Sequence, residues 1–141
     1  ERMAPGVLCA EGFLGDDHRE LTEIIDADAA AVHAAGLTHE QVAAKLAGII
    51  DRAVSELGRP LELNETLAAV WREGMGRIPS PWPGDGVFPK GELELTDRRT
   101  DQTVRATRLS VHLIAAHGFY QGRGNRYRLE PAELIAMFEM V

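Results

Sequence analysis

The stretch that most constrains this fold is 77–91, RIPSPWPGDGVFPKG, with four prolines and three glycines in fifteen residues. Proline removes amide donors and pushes its predecessor towards extended geometry, so no helix crosses this stretch. It separates a helical half, about 14–76, from a second half at 92–141. A polyproline ligand or a domain linker would share this composition. Trp82, Val87 and Phe88 would be costly on a free linker, so the expectation is an ordered loop wrapping the core. At 141 residues the chain suits one compact domain spanning 1–141.

The first half reads as three amphipathic helices behind an irregular lead-in (1–15) anchored by Val7, Leu8, Phe13 and Leu14. Asp16 or Asp17 caps the first helix, which runs to about Ala35 with Gly36 as its stop. Its apolar stripe is Leu21, Ile24, Ile25 and Val32. Thr38 and Gln41 fit a capping box ahead of a second helix with Val42, Leu46, Ile49, Ile50, Ala53 and Leu57 on one face. Asn64 caps a third, shorter helix through Leu67, Val70 and Trp71 that ends at Gly74 or Gly76. In the second half, Leu93/Leu95 and Val104/Ala106 alternate with polar residues on either side of a turn at 97–102, which predicts a β-hairpin. A helix from about Arg108 to His117 follows, ended by Gly118; extended pieces begin at Phe119 and Arg126, and Pro131 opens a last helix. The predicted class is α+β: a three-helix N-terminal portion packed with a small antiparallel sheet (hairpin, helix, strand) and a C-terminal helix.

A hydrophobic fraction of 45% argues against a disordered chain, and no apolar run approaches the ~20 residues of a membrane span. The sequence as given opens on no charged segment followed by an apolar core and a small-residue cleavage site. The single cysteine, Cys9, permits neither an internal disulfide nor a cysteine-based zinc site, and a reducing cytoplasm is the simplest expectation.

The net charge of −7 conceals an asymmetry: residues 1–96 sum to −9, 97–128 to +5 with seven arginines and no lysine, and 129–141 to −3. That middle segment is a candidate contact for an anionic ligand or an acidic protein surface. Its residues Arg98, Arg99, Arg105, Arg108, Arg123, Arg126 and Arg128, with Tyr120, form the candidate ligand-binding set. Phe119, Tyr120 and Tyr127 could stack on bases, and Gly122 and Gly124 could let a backbone approach closely. The same glycines with Asn125 are also what a tight turn requires, and the arginines also suit the acidic half of their own chain.

Two polar residues fall where apolar ones are expected. Asp28 lies in the centre of the first helix's stripe, with His112 or an arginine from 98–108 as its expected partner. His112 borders the Leu109/Leu113/Ala116 face, and His117 stands before Gly118, where an imidazole favours a helix C-terminus.

Over 25 residues, Leu93 to His117, the hairpin, helix and His-x4-His spacing resemble a two-Cys, two-His zinc finger, but the hairpin carries no cysteine. A looser resemblance is to hairpin-helix metal nucleases of the His-Asn-His type, which would imply His112, His117 and Asp97 as ligands. On a regular helix those histidines lie about 140° apart, so a shared site asks for a distorted last turn. No nucleophile elbow, HExxH motif or phosphate-cradling loop is present. The residues therefore predict a binding or regulatory protein that contacts a phosphate-bearing or nucleic-acid ligand through segment 98–128, with no cofactor and no membrane. The alternatives are a metal-dependent hydrolase or nuclease using His112 and His117, and a module that self-associates as a homo-oligomer.

Overall fold

A computed structural model of the chain describes residues 12–139, so Val7, Leu8 and Cys9 lie outside the described residues. Among the described residues, four helices and two antiparallel sheets follow in the order α1 (Leu21–Ala34), α2 (His39–Val54), β1 (Leu61–Glu62), β2 (Leu67–Arg72), β3 (Arg77–Pro79), β4 (Val87–Pro89), β5 (Glu92–Asp97), β6 (Gln102–Thr107), α3 (Arg108–His117) and α4 (Pro131–Glu139). The main sheet runs β1-β2-β5-β6, and β3 pairs only with β4. No helix among the described residues is long and apolar enough to cross a membrane.

Local chemistry explains most boundaries. Thr38 accepts the Gln41 amide at 3.1 Å while Gln41 accepts the Thr38 amide at 2.9 Å, the reciprocal box that starts α2. Thr107 and Ser110 do the same for α3, and Gly118 closes it at φ 61°. Helix α1 starts later than Asp16 or Asp17 would place it, at Glu20 with Glu23 reaching back. Asp17 is occupied instead by Arg19, whose guanidinium holds its carboxyl well below the usual range.

The N-terminal part contains two helices, and the expected third is strand β2. Leu67, Val70 and Trp71 satisfy helical spacing, but Leu67–Trp71 is an unbroken apolar run, the pattern of an interior strand. Each of its residues pairs with β5, from Leu67 opposite Asp97 to Arg72 opposite Glu92. Asn64 does use its side chain for capping, but on a turn: Oδ1 accepts the amides of Thr66 and Leu67, both at 2.8 Å. The hairpin β5–β6 stands where alternation placed it.

One face of the main sheet is apolar, with Leu67, Ala69 and Trp71 beside Leu93 and Leu95 and then Ala106. It packs with Val42, Leu46, Ile49, Ile50 and Ala53 of α2 and Leu134, Ile135 and Phe138 of α4. A second cluster gathers Phe13, Ile24, Leu109, Leu113 and Phe119, with Ile78, Trp82 and Phe88 of the proline-rich segment packed against it. That segment is thus anchored to the core through a short β3–β4 hairpin. The pieces 119–120 and 126–129 form no strand, although the Leu129 amide donates to the Tyr120 carbonyl at 3.1 Å.

Candidate metal centre

The anchored β3–β4 hairpin lies against α3, and its connecting loop delivers Asp85 to the two histidines of that helix. His117 Nε2 lies 2.7 Å from Asp85 Oδ2 and His112 Nε2 lies 2.9 Å from the same oxygen. One ligand atom from each residue falls within 4.8 Å of the other two, and the group is the one cluster of this kind among the described residues. Helix α3 stays regular through His117, so the distorted last turn is not needed. Convergence comes from the distal nitrogens, whose rings meet edge-on with centroids 5.9 Å apart. The third member is Asp85, whereas Asp97 turns its carboxylate to the Arg99 amide and guanidinium at the end of β5.

The walls are aromatic. Trp82 stacks on His117 at 4.0 Å with 6° between the planes, and Phe88 lies 4.9 Å from the ring of His112. The bond from His117, assisted by Ser80 and His112, lowers the Asp85 carboxyl to about 2, against the burial that would raise it. Asp85 is therefore an anion at ordinary pH. His112 Nε2 is buried and comes within 2.9 Å of the same oxygen without a well-directed hydrogen bond.

Two imidazole nitrogens and one carboxylate oxygen form a donor set suited to Zn²⁺, Fe²⁺, Co²⁺ or Ni²⁺ rather than to Mg²⁺ or Ca²⁺, which prefer oxygen alone. Tetrahedral bonds of about 2.0–2.1 Å would set ligand atoms about 3.3 Å apart, so the cluster would open by a few tenths of an ångström. The three side chains remain 17–31% exposed, although the His112 Nε2 atom itself is buried. His112 is accordingly half-buried rather than a buried polar residue.

The other candidate residues are dispersed. Each of the seven arginines faces a carboxylate of its own chain: Arg98 faces Glu62, Arg99 Asp97, Arg105 Glu94, Arg108 Asp51, Arg123 Glu130, Arg126 Glu92 and Arg128 Asp28. Five of those carboxylates (Asp28, Asp51, Glu62, Glu92 and Glu94) belong to the acidic residues 1–96. Tyr120 is buried, and its hydroxyl meets His39 Nδ1 at 2.9 Å. Its ring is not available for stacking on a base. Asp28 is buried, as its place in the stripe requires, but its partner is Arg128 rather than His112 or an arginine from 98–108.

Gly122 does admit a close backbone, and that backbone is the chain's own, while Gly124 lies against the Asp16 carboxylate. The Gly122 amide donates to Phe13 at 2.8 Å, the Asp16 amide donates to Arg123 at 3.0 Å, and Asn125 reaches the Gly12 carbonyl. A Cβ on Gly122 would stand 2.1 Å from the Leu14 carbonyl oxygen.

Sequence reasoning missed Asp85 because Pro-Gly-Asp-Gly reads as turn chemistry, and nothing in it points to histidines 27 and 32 residues away. No known family, curated protein or solved structure matches the chain.

Proposed function

We propose that the protein binds a divalent transition metal through Asp85, His112 and His117 and that this centre serves hydrolysis. The observation that carries the reading is the arrival of one carboxylate oxygen at both Nε2 atoms, which supplies the third ligand the helix alone lacks. Three protein ligands are the pattern of catalytic zinc sites, where water takes the fourth position and the metal lowers its pKa to about 7. The chain's own contribution is to hold the three donors and to wall the site with Trp82 and Phe88. The internal ion pairs of the seven arginines favour this reading over an anionic ligand on segment 98–128.

The test is metal content after chelation and reloading with Zn²⁺, for the wild type and for His112→Ala, His117→Ala and Asp85→Ala. One equivalent in the wild type, lost in each folded variant, is expected; a wild type that retains none overturns the reading. Hydrolysis of a chromogenic phosphodiester and a carboxylic ester by the loaded protein then tests the reaction class. A loaded protein inactive on both removes hydrolysis and leaves the centre.

A further inference from the structure

The loop that carries Asp85 is built to present it. Ser80 is 1% exposed and its hydroxyl sits between two members of the site. Its Oγ donates to Asp85 Oδ2 at 2.9 Å, the oxygen that both histidines approach, and accepts the Trp82 amide at 3.1 Å. Trp82 is the residue whose indole stacks on His117. The loop closes on itself, with the Ser80 amide donating to Gly86 at 3.1 Å and the Asp85 amide to Trp82 at 3.3 Å. Pro81 and Pro83 restrict its backbone, while Gly84 and Gly86 take left-handed turns at φ 92° and 86°.

We infer that Ser80 is the positioning residue of the metal centre: one hydroxyl aims the carboxylate ligand at the histidines and seats the tryptophan that holds His117. This rests on the metal reading of the site. A carboxylate on a surface turn rotates freely, and fixing its ligand oxygen before the ion arrives removes that entropy from binding. Outer hydrogen bonds of this kind are worth about 10–100-fold in metal affinity. Ser80 does so from a buried position behind the ligands, without touching the ion.

The test is Co²⁺ affinity, by competition with a chromogenic chelator, and the visible absorption of bound Co²⁺, for wild type, Ser80→Ala and Ser80→Thr. Thermal midpoints of the metal-free proteins show whether the fold has changed. Ser80→Ala is expected to bind about 10–100-fold more weakly with an altered Co²⁺ spectrum, and Ser80→Thr to recover most of both. Should Ser80→Ala fail to fold, Ser80→Cys keeps the shape with a weaker donor and serves the same comparison. Wild-type affinity and spectrum in Ser80→Ala or Ser80→Cys overturn the role of Ser80 while the centre stands. A wild type that binds no Co²⁺ overturns both.

Discussion

Arg128 meets Asp28 end-on, Nη1 to Oδ2 at 2.6 Å and Nη2 to Oδ1 at 2.9 Å, across 100 residues of sequence. Both side chains are 6% exposed, and the guanidinium also donates to the Gln121 carbonyl and to Glu130. A fork against a fork, with its remaining donors used, is the geometry in which a buried pair persists. Asp28→Ala removes two of the acceptors of a buried guanidinium that keeps Glu130, and is expected to lower stability by about 1.5–3 kcal/mol, whereas Asp28→Leu with Arg128→Leu should recover much of the loss. Urea unfolding of the three proteins checks this; a loss in Asp28→Ala no larger than that of an exposed alanine substitution contradicts it.

Gly122→Ala is expected to destabilise the protein and release residues 12–17, because the new methyl would stand 2.1 Å from the Leu14 carbonyl oxygen. Hydrogen exchange should show the Asp16 and Gly122 amides losing protection together, since both bonds tie these segments to one another. Unchanged protection at both amides rules out this account.

Burial lowers the pKa of His39, against the weaker opposing pull of Asp28, so its folded value lies below the unfolded value near 6.5. The unfolded state then binds more protons between the two values, and stability rises with pH through that window. The contribution is present above about 6.5 and is lost as pH falls through the folded value. His39→Gln should therefore flatten the pH dependence of unfolding between pH 7 and 5 relative to wild type. Asp17 and Glu130 carry depressed folded values from Arg19 and Arg128 respectively, so their contribution is present above about 4 and disappears in stronger acid. An identical slope in His39→Gln and wild type above pH 5 contradicts the assignment to His39.

Thr107→Ala removes the acceptor for the Ser110 amide at the buried start of α3, and should cost about 1–2 kcal/mol. Thr107→Ser keeps the acceptor and should cost far less. Equal midpoints for the two variants in a denaturant titration would show that the cap contributes nothing.

The parts of the fold legible in the sequence are those with a local cause. The Thr38–Gln41 box, the stop at Gly118 and the Leu93/Leu95 alternation each act within a few residues and stand where expected. Residues 67–71 were not legible because a five-residue apolar run meets helical and strand templates alike, and the deciding contact is with β5 across the proline-rich segment. The buried state of Asp28 was legible from its stripe, while its partner, 100 residues away, was not. The two histidines were visible as a spacing. The carboxylate was hidden among turn residues, since only the docking of β3–β4 against α3 gives Asp85 any neighbour but its own loop.

Strands β2 and β5 are nearest neighbours in the sheet, with Arg72 opposite Glu92, so the nineteen residues between them are an excursion that the sheet does not require. A two-residue turn could join the same strands in the same register. Asp85 and its supports Ser80 and Trp82 lie on that excursion, whereas His112 and His117 lie on α3, and Ile78, Trp82 and Phe88 tie the excursion to the second core cluster. The carboxylate is thus carried by a passage of the chain that the main sheet can do without, while the two imidazoles belong to the scaffold itself.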